Sequence, residues 1–345
     1  MLVTSPFGAL PDGTDVTAFT LGSSDDGLRL TVLDLGATVA RLEVPAGDGP
    51  PVDVVLGLAA ASDYAAETNP FLGATVGRYA NRIAGSRFTL DGTEHRLVPN
   101  EGTTCLHGGP GGFHSRQWLA VAATSDTLEL ELVSPDGDQG FPGRVRARVR
   151  YQVTADTVTI EHRAETDAPT VVSLTNHTYF NLAADGTVDD HVLEVAADEY
   201  LPVDARSIPT GSRELVQDSP FDFRDGVALA GRVGSSHPQV RQAGGIDHAF
   251  VLTGEGLRRV ARLEHPASAR TLEVSTTQSS MQVYTGQQLD GTLLDRAGRR
   301  LPSRAGIALE CQAFPDAPNQ PQFPSAVLEP GEEYRATTVW RLSGW

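Results

Sequence analysis

The chain has 345 residues, with 27 basic against 44 acidic side chains and a formal net charge of −17. This acidic excess would repel the phosphate backbone of a nucleic acid and the anionic surface of a membrane, so we expect neither as a partner. All of the basic residues are arginines, which excludes Schiff-base catalysis by a lysine and the phosphate-binding lysine of Walker-type sites.

The N-terminal segment predicts no export signal. It has no basic residue before Arg29 and no sustained apolar run, whereas a signal peptide needs both. No later stretch approaches the roughly 18 apolar residues of a membrane span, so we expect a cytoplasmic protein. The two cysteines, Cys105 and Cys311, are too few for a disulfide scaffold and are expected to be free thiols.

Strand periodicity dominates the chain. Apolar and polar residues alternate along four stretches: 28–44, 127–133, 144–165 and 336–342. Such alternation predicts strands that bury one face and expose the other. Turn signals separate the strands at short intervals, and Asp91-Gly92 in RFTLDGTEHRL predicts a hairpin.

Helical periodicity is weak and is confined to 62–67 and the region near 226–233. Parallel β-α-β units are therefore disfavoured. The chain is too long for a sandwich of about seven strands, and it lacks the repeat of roughly 40–50 residues that a β-propeller would show. We predict an all-β fold, a large antiparallel β-sandwich, with residues 1–345 as one domain.

Four stretches place polar or charged side chains beside glycine or proline: 77–88, 106–113, 244–250 and 308–324. A fifth, SLTNHTYFNLA (173–183), reads as a buried strand that His177 interrupts. One interpretation is a core histidine whose hydrogen bond comes from Asn176, and the other is a proton donor. His107, which precedes Gly108 and Gly109, predicts either a close backbone approach to a ligand or a surface turn.

Glu310 follows the apolar run 306–309, which is typical of a buried strand. Burial of a carboxylate raises its pKa and suits it to act as a base near neutral pH. The alternative is a glutamate at a strand end that pairs with an arginine. Because the sequence has no H-x-H, no HExxH and no paired cysteines, we predict no metal.

Taken in order, these stretches resemble the aldose 1-epimerase (galactose mutarotase) family. The resemblance rests on NRI after GRYA, on LHGG, LTNHTYFNL, GGIDHAF and VYTG, and on LE followed by PDAPNQPQFP near the C-terminus. It covers about residue 70 to the C-terminus. It implies a large antiparallel β-sandwich with a sugar-binding cleft, and a cofactor-free isomerase that interconverts the α and β anomers of free aldohexoses such as galactose and glucose.

The resemblance also implies roles for particular residues. Glu310 would be the general base and His177 the general acid. The residues implied to bind sugar hydroxyls are Asn81, Arg82, His107, Tyr179, Asp247 and Gln282. The chain departs from the family pattern at Cys311, at Ala313 and in HSRQW (114–118), which bears on the preferred sugar.

Opening the sugar ring requires removal of the C1 hydroxyl proton and protonation of the ring oxygen. We therefore expect a base and an acid on opposite sides of one hemiacetal. The carboxylates expected near His177 would favour its protonated form. The expected partner is a small aldose, bound by a monomer or homodimer.

Three other functions remain open at this point. A carbohydrate-binding module without activity would also be an antiparallel sandwich with aromatic and amide contacts. An epimerase of phosphorylated hexoses would need additional cations to pair with the phosphate. A metal-dependent sandwich enzyme is the third.

Overall fold

The structure, a computed structural model, describes residues 3–22, 27–47 and 49–345. Its β-strands in chain order are Val3–Ala9 (β1), Asp15–Gly22 (β2), Arg29–Leu33 (β3), Thr38–Ala46 (β4), Gly49–Asp53 (β5), Thr75–Val76 (β6), Arg82–Ile83 (β7), Arg87–Leu90 (β8), Thr93–Arg96 (β9), Cys105–Leu106 (β10), Leu119–Ala123 (β11), Thr127–Ser134 (β12), Val145–Val153 (β13), Thr157–Thr166 (β14), Thr170–Val171 (β15), Thr175–Asn176 (β16), Tyr179–Phe180 (β17), Val192–Val195 (β18), Ala197–Tyr200 (β19), Glu214–Leu215 (β20), Val227–Ala228 (β21), Asp247–Leu252 (β22), Arg258–His265 (β23), Arg270–Thr276 (β24), Ser280–Tyr284 (β25), Ile307–Gln312 (β26), Val327–Leu328 (β27) and Tyr334–Ser343 (β28). The α-helices are Ala61–Tyr64 (α1), Ala230–Val233 (α2) and Pro238–Ala243 (α3).

Most strands belong to three antiparallel sheets. A five-stranded sheet runs from β1 to β5 in chain order. A nine-stranded sheet has the order β11-β12-β13-β14-β28-β24-β23-β18-β21, and a six-stranded sheet has the order β17-β26-β25-β22-β19-β20. The predicted all-β, antiparallel fold is confirmed. In the described part of the chain, no helix has the length and apolar character needed to cross a membrane.

Alternating burial joins the sheets through one apolar core. Along β12, Leu128, Leu130 and Leu132 are buried while the residues between them are partly exposed. The same core cluster draws on β2 to β4, on the nine-stranded sheet and on the inner faces of β25 and β26. Each fully buried leucine contributes roughly 1.5–3 kcal/mol relative to an exposed one, so the period-two pattern fixes which face of each sheet points inward.

The predicted strand segments are confirmed, although turns that the alternation did not indicate divide some of them into two strands. The stretch 28–44 forms β3 and β4, separated by a turn at Gly36, whose φ is +65°. The hairpin at Asp91-Gly92 is also confirmed: these residues join β8 to β9 with φ of +49° and +76°. Positive φ at both central positions is the geometry that matches the twist of a hairpin.

Both weak helical signals have counterparts in the structure. Helix α1 begins one residue before the first signal and ends three residues before that signal ends. Helix α2 lies at the end of the second signal, where β21 precedes it. Helix α3 was not predicted. It begins at Pro238 after His237, whose ring accepts the Gln239 N–H, and it ends at Gly244 with φ +71°, so its signals are end caps rather than apolar periodicity.

The interpretation of 173–183 as one buried strand is wrong. The segment forms two two-residue strands, β16 and β17, which pair with β6 and β26 in different sheets. The Asn176 side chain donates to the Gly73 carbonyl at 2.9 Å and accepts the Thr178 N–H at 3.1 Å. These bonds hold the chain in a step between the sheets, and His177 lies on that step. Asn176 is therefore not the partner of His177.

Candidate active site

Three neighbouring strands of the six-stranded sheet place polar side chains on one face. Gln282 in β25 lies opposite Glu310 in β26 and opposite Ala249 in β22, two residues from Asp247. Because directly opposed residues and residues two apart share a face, Asp247, Gln282 and Glu310 project together. The other face, including Leu309, packs into the core. Glu310 lies within β26, since the strand continues beyond the position where the sequence predicted its end.

His177 reaches this face from the step between β16 and β17. Its Nε2 lies 3.5 Å from Glu310 Oε1, and both side chains are buried. The His177 N–H donates to the Ala74 carbonyl at 2.8 Å, which fixes the backbone. The imidazole stacks on the Tyr179 ring with centroids 5.0 Å apart. The two residues expected to transfer protons are thus in direct contact.

Their arrangement differs from the expected one. A base and an acid were expected on opposite sides of the sugar, whereas the 3.5 Å separation makes Glu310 and His177 neighbours on one wall. The C1 hydroxyl oxygen and the ring oxygen of a pyranose are bonded to the same carbon. Two adjacent groups can therefore address both oxygens from one side.

Asn81, Arg82 and His107 line the loop side of the cleft. Asn81 and His107 bind each other through two hydrogen bonds: the Asn81 N–H donates to His107 Nδ1 at 3.1 Å, and the His107 N–H donates to the Asn81 carbonyl at 3.0 Å. Both residues have left-handed backbone, with φ of +64° and +51°. Because His107 Nδ1 is an acceptor, the neutral ring carries its hydrogen on Nε2.

Several polar atoms of the predicted residues are buried without a partner. Gln282 Nε2 donates to Asp247 Oδ1 at 2.7 Å. Gln282 Oε1, Glu310 Oε2 and His177 Nδ1 have no hydrogen-bond partner among the described residues. Since buried polar atoms are normally paired, these atoms mark where the site is built to receive polar groups.

Tyr179 lies in the site in a way that the sequence did not indicate. Its hydroxyl donates to the Pro70 carbonyl at 3.0 Å, so its ring supports His177 while its polar end is already bonded. Tyr284, two residues after Gln282 in β25, also lines the cleft. Its hydroxyl oxygen accepts the Gln288 N–H at 3.1 Å, which leaves its O–H hydrogen free.

A cleft of about 670 Å³ contains all these side chains except Gln282, and such a volume is ordinary for a small-molecule site. Sequence reasoning missed Phe71 and Tyr284, and it considered His114 only within HSRQW, the segment expected to bear on the preferred sugar. Phe71 packs against the rings of His107 and His114, with centroids 4.5 and 4.7 Å apart. Tyr284 could have been found from strand register, whereas Phe71 lies in a loop with no periodic signal.

Burial controls the protonation of the two central residues. It raises the pKa of Glu310 well above its ordinary value, with Asp247 adding to the rise and Arg82 opposing it. Burial lowers the pKa of His177 to about 4, and the neighbouring His114 adds to the fall. Burial, and not the nearby carboxylates, therefore has the largest effect on the pKa of His177, and its protonated form in the complex with sugar stays a prediction. Desolvation disfavours both charged forms, so burial favours a neutral Glu310 beside a neutral His177.

Three of these residues lie close enough together to be considered as ligands of one metal ion. The ligand atoms of His107, His177 and Glu310 lie within 4.8 Å of one another, and two histidines with a glutamate form a known zinc donor set. His107 fits this role poorly, because its Nδ1 already accepts the Asn81 N–H. A cation at Nε2 would have to displace the hydrogen that this bond places there.

The comparisons with known proteins agree with the fold. The family model described as Aldose 1-epimerase matches residues 18–341, so the match begins well before the motifs at residue 70. A galactose mutarotase of Bos taurus is 43% identical over 341 residues, covering 98% of this chain and 97% of that protein. An aldose 1-epimerase of Escherichia coli is 40% identical over 338 residues, covering 96% of each.

Solved structures give the same result. An aldose epimerase homologue from C. elegans superposes with a TM-score of 0.87 at 32% identity, covering 95% of this chain and 99% of that one. A galactose 1-epimerase from Lactobacillus acidophilus gives 0.87 at 28% identity, covering 99% and 98%. The chain belongs to the aldose 1-epimerase family and is an isomerase that interconverts sugar anomers.

Proposed function

We propose that the cleft opens and recloses the ring of free aldohexoses, including galactose and glucose, with Glu310 and His177 transferring the protons. The carrying observation is the 3.5 Å contact between these two buried side chains at one wall of the cleft. The relatives named galactose mutarotase support galactose as a substrate.

The proposed reaction conserves one proton on the pair. Glu310 takes the proton of the C1 hydroxyl, the C1–O5 bond breaks as the C1 carbonyl forms, and His177 gives its proton to the ring oxygen. Rotation about the C1–C2 bond presents the other carbonyl face, and the reverse steps close the ring. The pair must therefore enter with its proton on His177, so a sugar hydroxyl that donates to Glu310 Oε2 would favour the reactive form.

The remaining predicted residues would hold the sugar hydroxyls. His107 presents an N–H from Nε2, and Arg82 presents guanidinium N–H groups. Asp247 and the unpaired Oε1 of Gln282 present acceptors, and Asn81 fixes the His107 ring. A site whose buried polar atoms match particular hydroxyls discriminates sharply, because a missing hydroxyl leaves them unpaired.

Two positioned proton-transfer groups supply enough acceleration for this reaction. Each typically contributes about 10²–10⁴ in rate, and the ring of an aldose already opens readily in water without a catalyst. No metal is required by this chemistry.

We further propose that residues 1–345 form one domain, since the three large sheets share a core. We also propose that the protein is cytoplasmic, because its two buried cysteines are free thiols. We propose that it is a monomer or a homodimer.

Polarimetry of freshly dissolved α-D-galactose and α-D-glucose tests this proposal. The protein should accelerate the approach to equilibrium rotation for both sugars, with equal rates before and after exhaustive chelation. Sugar binding without acceleration would indicate a binding module instead. Activity that disappears with chelator and returns with zinc would assign the chemistry to a cation at His107, His177 and Glu310.

A further inference from the structure

The guanidinium of Arg82 is already occupied by a carboxylate at the mouth of the cleft. Arg82 Nε and Nη2 donate to the two oxygens of Glu101 at 2.6 and 2.7 Å. The Arg82 side chain is 8% exposed, whereas that of Glu101 is 40% exposed. Glu101 thus reaches inward from the rim to a buried cation, and two short parallel bonds of this kind fix the orientation of the guanidinium plane.

The loop that carries Glu101 is fixed before any ligand binds. The Glu101 N–H donates to the Thr104 carbonyl at 3.1 Å, and the Thr104 N–H donates back to the Glu101 carbonyl at 2.9 Å. The Asn100 side chain bonds both backbone groups of Leu106, at 2.7 and 3.0 Å. Leu106 in turn is the strand partner of Arg82. Glu101 and Arg82 are therefore held on adjoining segments.

The other ionisable side chains of the cleft make this pair important for selectivity. Among the described side chains that line it, Arg82 is the cation, while Glu67 and Asp247 are further carboxylates. A guanidinium fork binds one carboxylate or one phosphate in the same bidentate way. While Glu101 occupies the fork, an anionic ligand finds no unpaired cation and meets further carboxylates.

We propose that Glu101 is a positioning and specificity-determining residue. Its carboxylate aligns Arg82 so that the remaining N–H groups of the guanidinium meet neutral sugar hydroxyls, and it occupies the fork that an anionic sugar would use. This inference rests on the proposed function of the cleft.

Glu101→Ala and Glu101→Gln test the inference, with Glu94→Ala and Glu94→Gln as matched controls. Glu94 is 44% exposed and also pairs with an arginine, Arg96 at 2.9 Å, but it lies outside the cleft on β9. In Glu101→Ala, we expect the galactose KM to rise roughly tenfold. A change of this size corresponds to the loss of about one charge-assisted hydrogen bond between the protein and the sugar. We expect kcat to change by less than about threefold, because the proton-transfer pair is untouched.

Inorganic phosphate provides a readout that a merely structural role would not move. It should inhibit Glu101→Ala competitively with galactose, with an inhibition constant at least roughly tenfold below that of the parent. Glu101→Gln, which keeps the side-chain shape without its charge, should show the same direction. The Glu94 variants should behave as the parent.

Equal KM values and equal phosphate sensitivity in the Glu101 and Glu94 variants would overturn the inference. This outcome is distinguishable from failure of the proposed function. If only the inference about Glu101 fails, the parent still accelerates mutarotation and Glu310→Gln abolishes that acceleration. If the proposed function fails, the parent itself is inactive.

Discussion

The two walls of the cleft are built in different ways. On the sheet side, Asp247 and Glu310 line the cleft and Gln282 donates a hydrogen bond to Asp247, and the loop side consists of Asn81, Arg82 and His107. Strand register places every residue of the sheet side, so regular backbone pairing determines its geometry. The loop side depends on left-handed backbone and on side-chain bonds to backbone groups. The sheet side should therefore withstand changes to its surroundings that would disrupt the loop side.

Removal of either proton-transfer group should give the largest effect. Glu310→Gln and His177→Asn should each lower kcat by about 10²-fold or more, because each removes one general acid or base. Polarimetry measures the rate, and circular dichroism tests whether the fold is intact. Glu94→Gln and His95→Asn, on the β8–β9 hairpin, make the same chemical changes outside the cleft. Parent-like turnover in Glu310→Gln or His177→Asn would contradict the proposed roles.

A methyl group on the loop-side backbone should have the next largest effect. Gly108 has φ +88°, and a Cβ there would overlap the Gly77 carbonyl oxygen. We expect Gly108→Ala to lower the free energy of unfolding by about 2–4 kcal/mol and to raise the galactose KM. Gly102→Ala is the control: its φ is +59° with nothing within 4 Å of the added methyl, so about 1 kcal/mol is expected. Equal urea midpoints for the two variants would refute the loop-side explanation.

Buried histidines should make the fold sensitive to acid, and His162 in β14 allows a test far from the cleft. Burial lowers the pKa of His162 from 6.5 to about 4. Between these pH values the unfolded chain binds a proton that the folded chain does not, so stability falls as pH falls, by about 1.4 kcal/mol per pH unit for each such residue.

His162→Asn should therefore reduce the slope of unfolding free energy against pH across this window, as measured by urea titrations at several pH values. An unaltered slope in His162→Asn would show that the imidazole is protonated in the folded chain.

The smallest effect is expected for Tyr179→Phe. The Tyr179 hydroxyl bonds the Pro70 carbonyl rather than a cleft ligand, so the variant should keep KM and kcat within about threefold and lose roughly 1 kcal/mol of stability. Tyr284→Phe removes a hydroxyl whose hydrogen is free, and it should raise KM more. If Tyr179→Phe has the larger KM change, Tyr179 contacts the sugar directly.

The sequence predicted the sheet side better than its surroundings. Period-two alternation identified the strands, and Glu310 after an apolar run was recognisable as a buried carboxylate. Its alignment with Gln282 required the register between strands far apart in the chain, which no local pattern contains. Only the family resemblance brought Asn81 to the site, because left-handed loop conformations leave no periodic signal. His107 was also marked by the two glycines that follow it, but they left a surface turn equally open.

Two features of the site could not be read from the sequence for a common physical reason. The step at His177 was interpreted as a continuous strand because composition does not show where Asn176 bonds to Gly73. The imidazolium was expected because counting carboxylates ignores burial, which affects the pKa of His177 more than any neighbouring charge does. Glu101 was not identified at all, since an exposed loop glutamate looks like any other acidic residue until Arg82 is placed beside it.

The two thiols offer a practical consequence for studying sugar occupancy. Cys105 and Cys311 are 1% and 3% exposed, and burial raises the pKa of each to about 12, so neither is a reactive thiolate in the folded protein. A cysteine introduced at exposed Thr103, beside Glu101 at the cleft mouth, would therefore react selectively with a maleimide dye. The emission of that dye would convert the mutarotase into a fluorescent reporter of bound monosaccharide.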